Sequence, residues 1–147
     1  MFDQTSTALL NILEANSLIG NAYNFEAAEF DGDPSVTLTP SANENAYDTT
    51  TENRRVYAFN LRIYKVRATG EDAESKTEAA MRELVDSVLD DLDKNHRLPA
   101  LEQKTGYTYL LMSAAPSQWG YAGRENMYRV AEIIVRVHFD VDVNLIS

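Results

Sequence analysis

His138, Asp140 and Asp142 alternate along one stretch of the chain. Residues two apart on a strand project from the same face, so an imidazole and two carboxylates would stand in a row suited to proton transfer or to holding a cation. A solvated polar face accounts for the same three, because ligands in a line do not surround an ion. Asp90, Asp91 and Asp93 read as an acidic cluster, for which a helix end facing water is the simpler account; His96 just beyond suits the negative end of that helix. Asp31-Gly32-Asp33-Pro34-Ser35 begins like a calcium loop, but Val36 stands where the turn glycine belongs and Ala42 where the bidentate glutamate belongs, which excludes it. Trp119 and Tyr121, in a stretch containing Gly and Pro, either cover the end of a sheet or anchor a partner.

The remaining chemistry is excluded more simply. The chain has no cysteine, which removes disulfides, thiolate catalysis and cysteine-ligated metals, and it contains no GxGxxG, P-loop, GxSxG or HExxH pattern. No catalytic, cofactor or metal site is therefore expected. The formal net charge of −10 opposes the basic footprint that phosphate binding requires. Apolar runs reach about five residues against the ~20 of a membrane helix, and Met1-Phe2-Asp3-Gln4 lacks the start of a secretory signal, so neither membrane nor export is expected. The 147 residues fit a single domain, 1–147.

The elements that would position these residues follow from hydrophobic period. Asp3 is placed to cap a first helix with Leu9, Ile12 and Leu13 on one face, stopped by Gly20. Val36-Thr37-Leu38-Thr39 reads as a short strand after the Asp31–Pro34 turn. Tyr57, Phe59, Leu61 and Ile63 on one face, with Asn60, Arg62 and Tyr64 on the other, make a half-buried strand. Met81, Leu84, Val85, Val88, Leu89 and Leu92 form the stripe of a second helix. Tyr107–Met112 and Ala131–Val143 are the last two strands, separated by a loop over 113–123. The expected fold is α+β: a two-layer sandwich of order α-β-β-α-β-β, with a mostly antiparallel four-stranded sheet packed against two helices.

One segment resists this economy. Ser41 to Asn53 is polar, longer than most connections, and runs directly into the strand that starts at Val56. A polar loop over 41–55 that becomes ordered against a neighbouring subunit would explain both length and composition. The candidate contact residues on this arm are Asn43, Glu44, Tyr47, Asp48, Thr50, Thr51, Arg54 and Arg55, and those on the tryptophan loop are Gln118, Trp119, Tyr121 and Arg124.

The run Pro34-Ser35-Val36-Thr37-Leu38-Thr39-Pro40-Ser41, then Asn43-Glu44-Asn45 and Tyr47-Asp48-Thr49-Thr50-Thr51-Glu52-Asn53-Arg54-Arg55-Val56-Tyr57-Ala58-Phe59, resembles the tail terminator (tail completion) proteins of long-tailed bacteriophages. Tyr128-Arg129-Val130-Ala131-Glu132-Ile133-Ile134-Val135-Arg136-Val137 is similar to that family's final strand, and the likeness extends from about Leu9 to Val143. It implies a structural virion protein without catalysis, assembled in the bacterial host cytoplasm. Copies would form a ring, commonly of six, at the head-proximal end of the tail tube, stopping its polymerisation and meeting the head connector. Its partners would be itself, the tail tube protein and a neck protein, with DNA passing through unbound. Two other readings stay open: a head–tail connector of the same general fold, and a small ligand-binding domain using Arg62, Arg136 and His138.

Overall fold

The structure is a computed structural model that describes residues 1–42, 44–47, 51–98, 101 and 104–145, with 44–47 as backbone. Helix α1 (Phe2–Glu14) leads into β1 (Asn21–Tyr23), β2 (Ser35–Pro40), β3 (Glu44–Tyr47) and β4 (Glu52–Val66). Helix α2 (Ala73–Lys94), β5 (Tyr107–Ala122), a 3₁₀ turn (Arg124–Asn126) and β6 (Tyr128–Asp142) complete the chain. Five strands lie in the order β1-β2-β4-β6-β5, and β3 shares with β2 one edge of β4. All pairs are antiparallel except β1 with β2.

The two-layer α+β arrangement agrees with the hydrophobic pattern, while the strand count and order do not. The sheet has six strands and is mixed, where four mostly antiparallel ones were expected. Three residues are enough for β1 because Gly20 and Gly32 let two backbone segments meet. A Cβ on Gly20 would lie 2.8 Å from Asp33 N, and one on Gly32 would lie 2.9 Å from the carbonyl carbon of Gly20. Gly20 therefore serves this contact and does not stop α1, which ends at Glu14. Nor does Asp3 cap it: Met1 holds that position, and the buried Thr5 hydroxyl donates to its carbonyl at 2.7 Å.

The expected 41–53 loop also divides differently. Residues 44–47 pair with 53–56, so β2, β3 and β4 form one long hairpin, and the polar lead-in Glu52–Arg55 is already strand. The polar composition hid this because β3 gains its hydrogen bonds from β4 rather than from any apolar face of its own. The 113–123 loop is likewise absent as such: β5 continues through it, with irregularities between Tyr109 and Leu111 and between Pro116 and Gln118. Pro116 and Gly120 read as loop punctuation, yet an edge strand tolerates a residue that donates no ladder bond.

One face of the sheet carries both helices. Phe59, Leu61, Ile63, Ile133, Val135, Val137 and Phe139 meet Leu9 and Leu13 of α1 and Met81, Leu84, Val85, Val88 and Leu92 of α2. Asn16, buried beyond the end of α1, fastens the helix layer: its amide donates to Ser87 Oγ at 2.9 Å and to Asp91 Oδ2 at 2.7 Å, while its carbonyl accepts from the Leu18 N–H at 2.8 Å. Asp91 is thus a structural anchor. At one end the second face is covered too: Phe30, from the segment after β1, packs on Tyr64 and Tyr128 with ring centroids 4.8 and 5.5 Å away.

Phe59 is fully buried and meets Phe2 edge to face at 5.3 Å. Its truncation to alanine is expected to cost about 3–5 kcal/mol through the cavity left behind. Urea unfolding of Phe59→Ala, read at the midpoint with unchanged slope, checks this; a near-neutral value would mean that the site collapses freely.

Candidate assembly surfaces

The expected contact residues fall at two ends of the sheet. Arg54 and Arg55 sit opposite Asp140 and Phe139 of β6, whereas Trp119 and Tyr121 sit opposite Ala131 and Arg129. Eight residues of β6 separate the two rows, about 26 Å at the rise of a strand. A single continuous interface from these residues is therefore not formed within one subunit. Asn43, Asp48 and Thr50 lie outside the described residues; Glu44 and Tyr47 belong to β3, and Thr51 immediately precedes β4.

At the first end the two arginines part, because neighbours on a strand face opposite ways. Arg54 lies on the face away from the helices, with its Nε 3.7 Å from Asp140 Oδ1. Arg55 points to the helix side and donates to the hydroxyls of Tyr57 at 3.2 Å and Tyr107 at 3.1 Å. Those phenols hold its guanidinium pKa above the ordinary value, hydrogen bonding to Tyr57 being the largest cause. Lys104 Nζ stands 4.9 Å from the centre of the same Tyr107 ring.

At the second end, Trp119 and Tyr121 stay exposed on the edge strand, and Arg129 links them. Its guanidinium lies 5.6 Å from the indole and 4.8 Å from the phenol ring, while Glu78 of α2 accepts a hydrogen bond from its Nε. The Arg67 guanidinium also lies over the Tyr121 ring, at 5.1 Å. The result is a cluster of cations and aromatic rings in residue types enriched at binding hot spots. Arg67, Glu78 and Arg129 carry no motif in the sequence; only pairing across β5 and β6 reveals them. Arg124 is exposed nearby in the 3₁₀ turn. The preceding Gly123 has φ +80°, and a Cβ there would lie 2.9 Å from the Tyr128 ring.

The polar face opposite the helices bears on the ligand-binding reading. Arg62 is engaged by Glu132 at 2.9 Å and Glu26 at 3.5 Å, and the Tyr64 hydroxyl donates to Glu26 at 3.0 Å. Ser117 donates to the remaining Glu132 oxygen at 2.9 Å. Arg62 is thus already satisfied by carboxylates. His138 and Asp140 share this face with Arg136, and no group of three or more His, Asp or Glu able to hold a metal occurs among the described residues. No helix among them is long and apolar enough to cross a membrane.

No protein-family profile matches the chain, and no curated protein matches it. Among solved structures, the chain is similar to one from the "Virion of native gene transfer agent (GTA) particle", at 14% identity and a TM-score of 0.49 over 92% of this chain and 93% of that one.

Burial, and then the hydrogen bond to Glu26, raise the Tyr64 pKa above 10.0. The folded state therefore holds this proton more tightly than the unfolded chain. Its contribution is complete below the unfolded value and is lost as pH rises through the folded one. Tyr64→Phe is expected to remove that part of the alkaline loss of stability, seen as a flatter urea midpoint as pH passes 10; an unchanged slope would contradict the assignment.

Proposed function

We propose that the chain is a structural assembly protein, working as a ring at the head-proximal end of a bacteriophage tail tube, where it ends tube polymerisation and joins the tail to the head connector. The observation that carries this reading is β5. Sixteen residues long, it forms one edge of the sheet and contains no charged side chain, in a chain where charged residues make up 24%. Natural edge strands left to water are usually blunted by charge. A strand of this length and composition, with Leu110, Leu111, Trp119 and Tyr121 exposed along it, is suited to being covered by protein. The sequence likeness to tail terminators in the β2–β3–β4 hairpin and in β6 supplies the class of assembly.

The charge fits the passage of DNA. On α2, Glu83, Asp86 and Asp90 are exposed, and carboxylates on the wall of a channel would repel the phosphate backbone. Screening confines that repulsion to about 8 Å at physiological salt.

Trp119 is the only tryptophan of the chain, so its emission, excited beyond the tyrosine absorption band, reports on the β5 edge. Acrylamide is expected to quench it strongly in the isolated chain and weakly after mixing with purified tail tubes, with a hexamer-sized cap appearing by mass measurement. Tubes that keep elongating in the presence of the chain would refute the terminator role. Capture by a portal-side complex in place of the tube would transfer the protein to the connector class.

A further inference from the structure

The register of the sheet suggests which part of a neighbour covers β5. Its second half is guarded by Pro116, which donates no ladder bond, and by the irregularity before Gln118, whereas the first half is interrupted only at Leu110. The first half, Tyr107–Ala115, has no proline, and Leu110 and Leu111 are 38% and 49% exposed. Among the described residues no strand pairs with its outer edge. The opposite edge is β3, which among the described residues pairs only with β4.

These two edges lie level with each other. Following the pairing across the sheet, Tyr47, Asn53, Val141 and Tyr107 form one row, and Ala46, Arg54, Asp140 and Thr108 form the next. The row through Glu44 and Val56 ends at Leu111 by way of His138. By contrast β1, the other short edge, is level with the guarded half: Tyr23, Thr37, Arg62, Glu132 and Gln118 share a row. Strand direction fits as well. β3 and β6 run one way and β4 and β5 the other, so β3 from a copy placed alongside meets β5 antiparallel.

We infer that β3 of a second copy adds to the Tyr107–Leu111 edge of β5, continuing the sheet from subunit to subunit. This inference rests on the ring reading and supplies its contact. Unlike edges that meet head to tail make a heterologous interface, which closes into a ring when the rotation between copies carries no rise; with the strands along the axis, level rows then meet. A groove of about 490 Å³, lined by Leu110, Leu111, His96 and Arg97, lies beside the same edge.

The absence of cysteine makes the test direct. Ala46→Cys with Thr108→Cys in one chain is expected to give disulfide-linked oligomers under mild oxidation, up to a closed ring, while either substitution alone gives none. Ala46→Cys with Ala122→Cys, at the guarded end, is expected to remain unlinked. Leu110→Lys, which alters an exposed side chain and leaves the fold intact by circular dichroism, is expected to weaken self-association at least tenfold. Assembly of the wild type with no Ala46–Thr108 linkage and no effect of Leu110→Lys would overturn this join and leave the ring standing. A wild-type chain that stays monomeric at every concentration reached, alone and in the presence of tail tubes, would overturn both.

Discussion

The ladder between β4 and β6 is the constraint on which the rest of the molecule depends. Fifteen residues of each strand face one another without interruption, from Glu52 opposite Asp142 to Val66 opposite Tyr128. Side chains alternate between faces, so a slip of one residue would send Phe59, Leu61, Val135 and Val137 away from the helices and bring arginines and carboxylates beneath them. Helices, hairpin and edge strand all take their positions from this register.

Because the ladder is so long, its two ends do different work. Where Arg62 and Glu132 pair, the second face is closed by the Glu26–Phe30 segment, and aromatic rings and ion pairs make a small core of their own. Where Arg54 and Asp140 pair, β3 takes the place of β2 along the same edge of β4. The cation–aromatic cluster of Arg67, Tyr121, Arg129 and Trp119 belongs to the first end, and the Arg55–Tyr107–Lys104 group to the second. The polar groups named here hold one element to another: Arg62 and Glu132 join β4 to β6, and Arg129 and Glu78 join β6 to α2.

The sequence makes some of this legible and conceals the rest for identifiable reasons. The stripe from Met81 to Leu92 and the alternation in β4 and β6 reflect burial on one side, which leaves a period in the text, and the apolar positions of that period are the ones that meet across the core. β1 and β3 leave none, because each is stabilised by hydrogen bonds to a longer neighbour and is too short for a pattern. In β5, the irregularities at Leu110 and before Gln118 shift the alternation and make one strand read as a strand and a loop. Trp119 and Tyr121 stand out by type alone, but their partners Arg129 and Arg67 are distant in sequence. Arg54 and Arg55, adjacent in the text, separate onto opposite faces.

The cover over the second face has a geometric consequence. Among the described residues, helices, sheet and the Phe30 segment stack three deep at the end of the molecule bearing Tyr64 and Tyr128, and two deep at the end bearing Arg54 and Asp140. With copies set around an axis and α2 toward the channel, that extra layer lies on the outside, so one rim of such an assembly would be broader than the other.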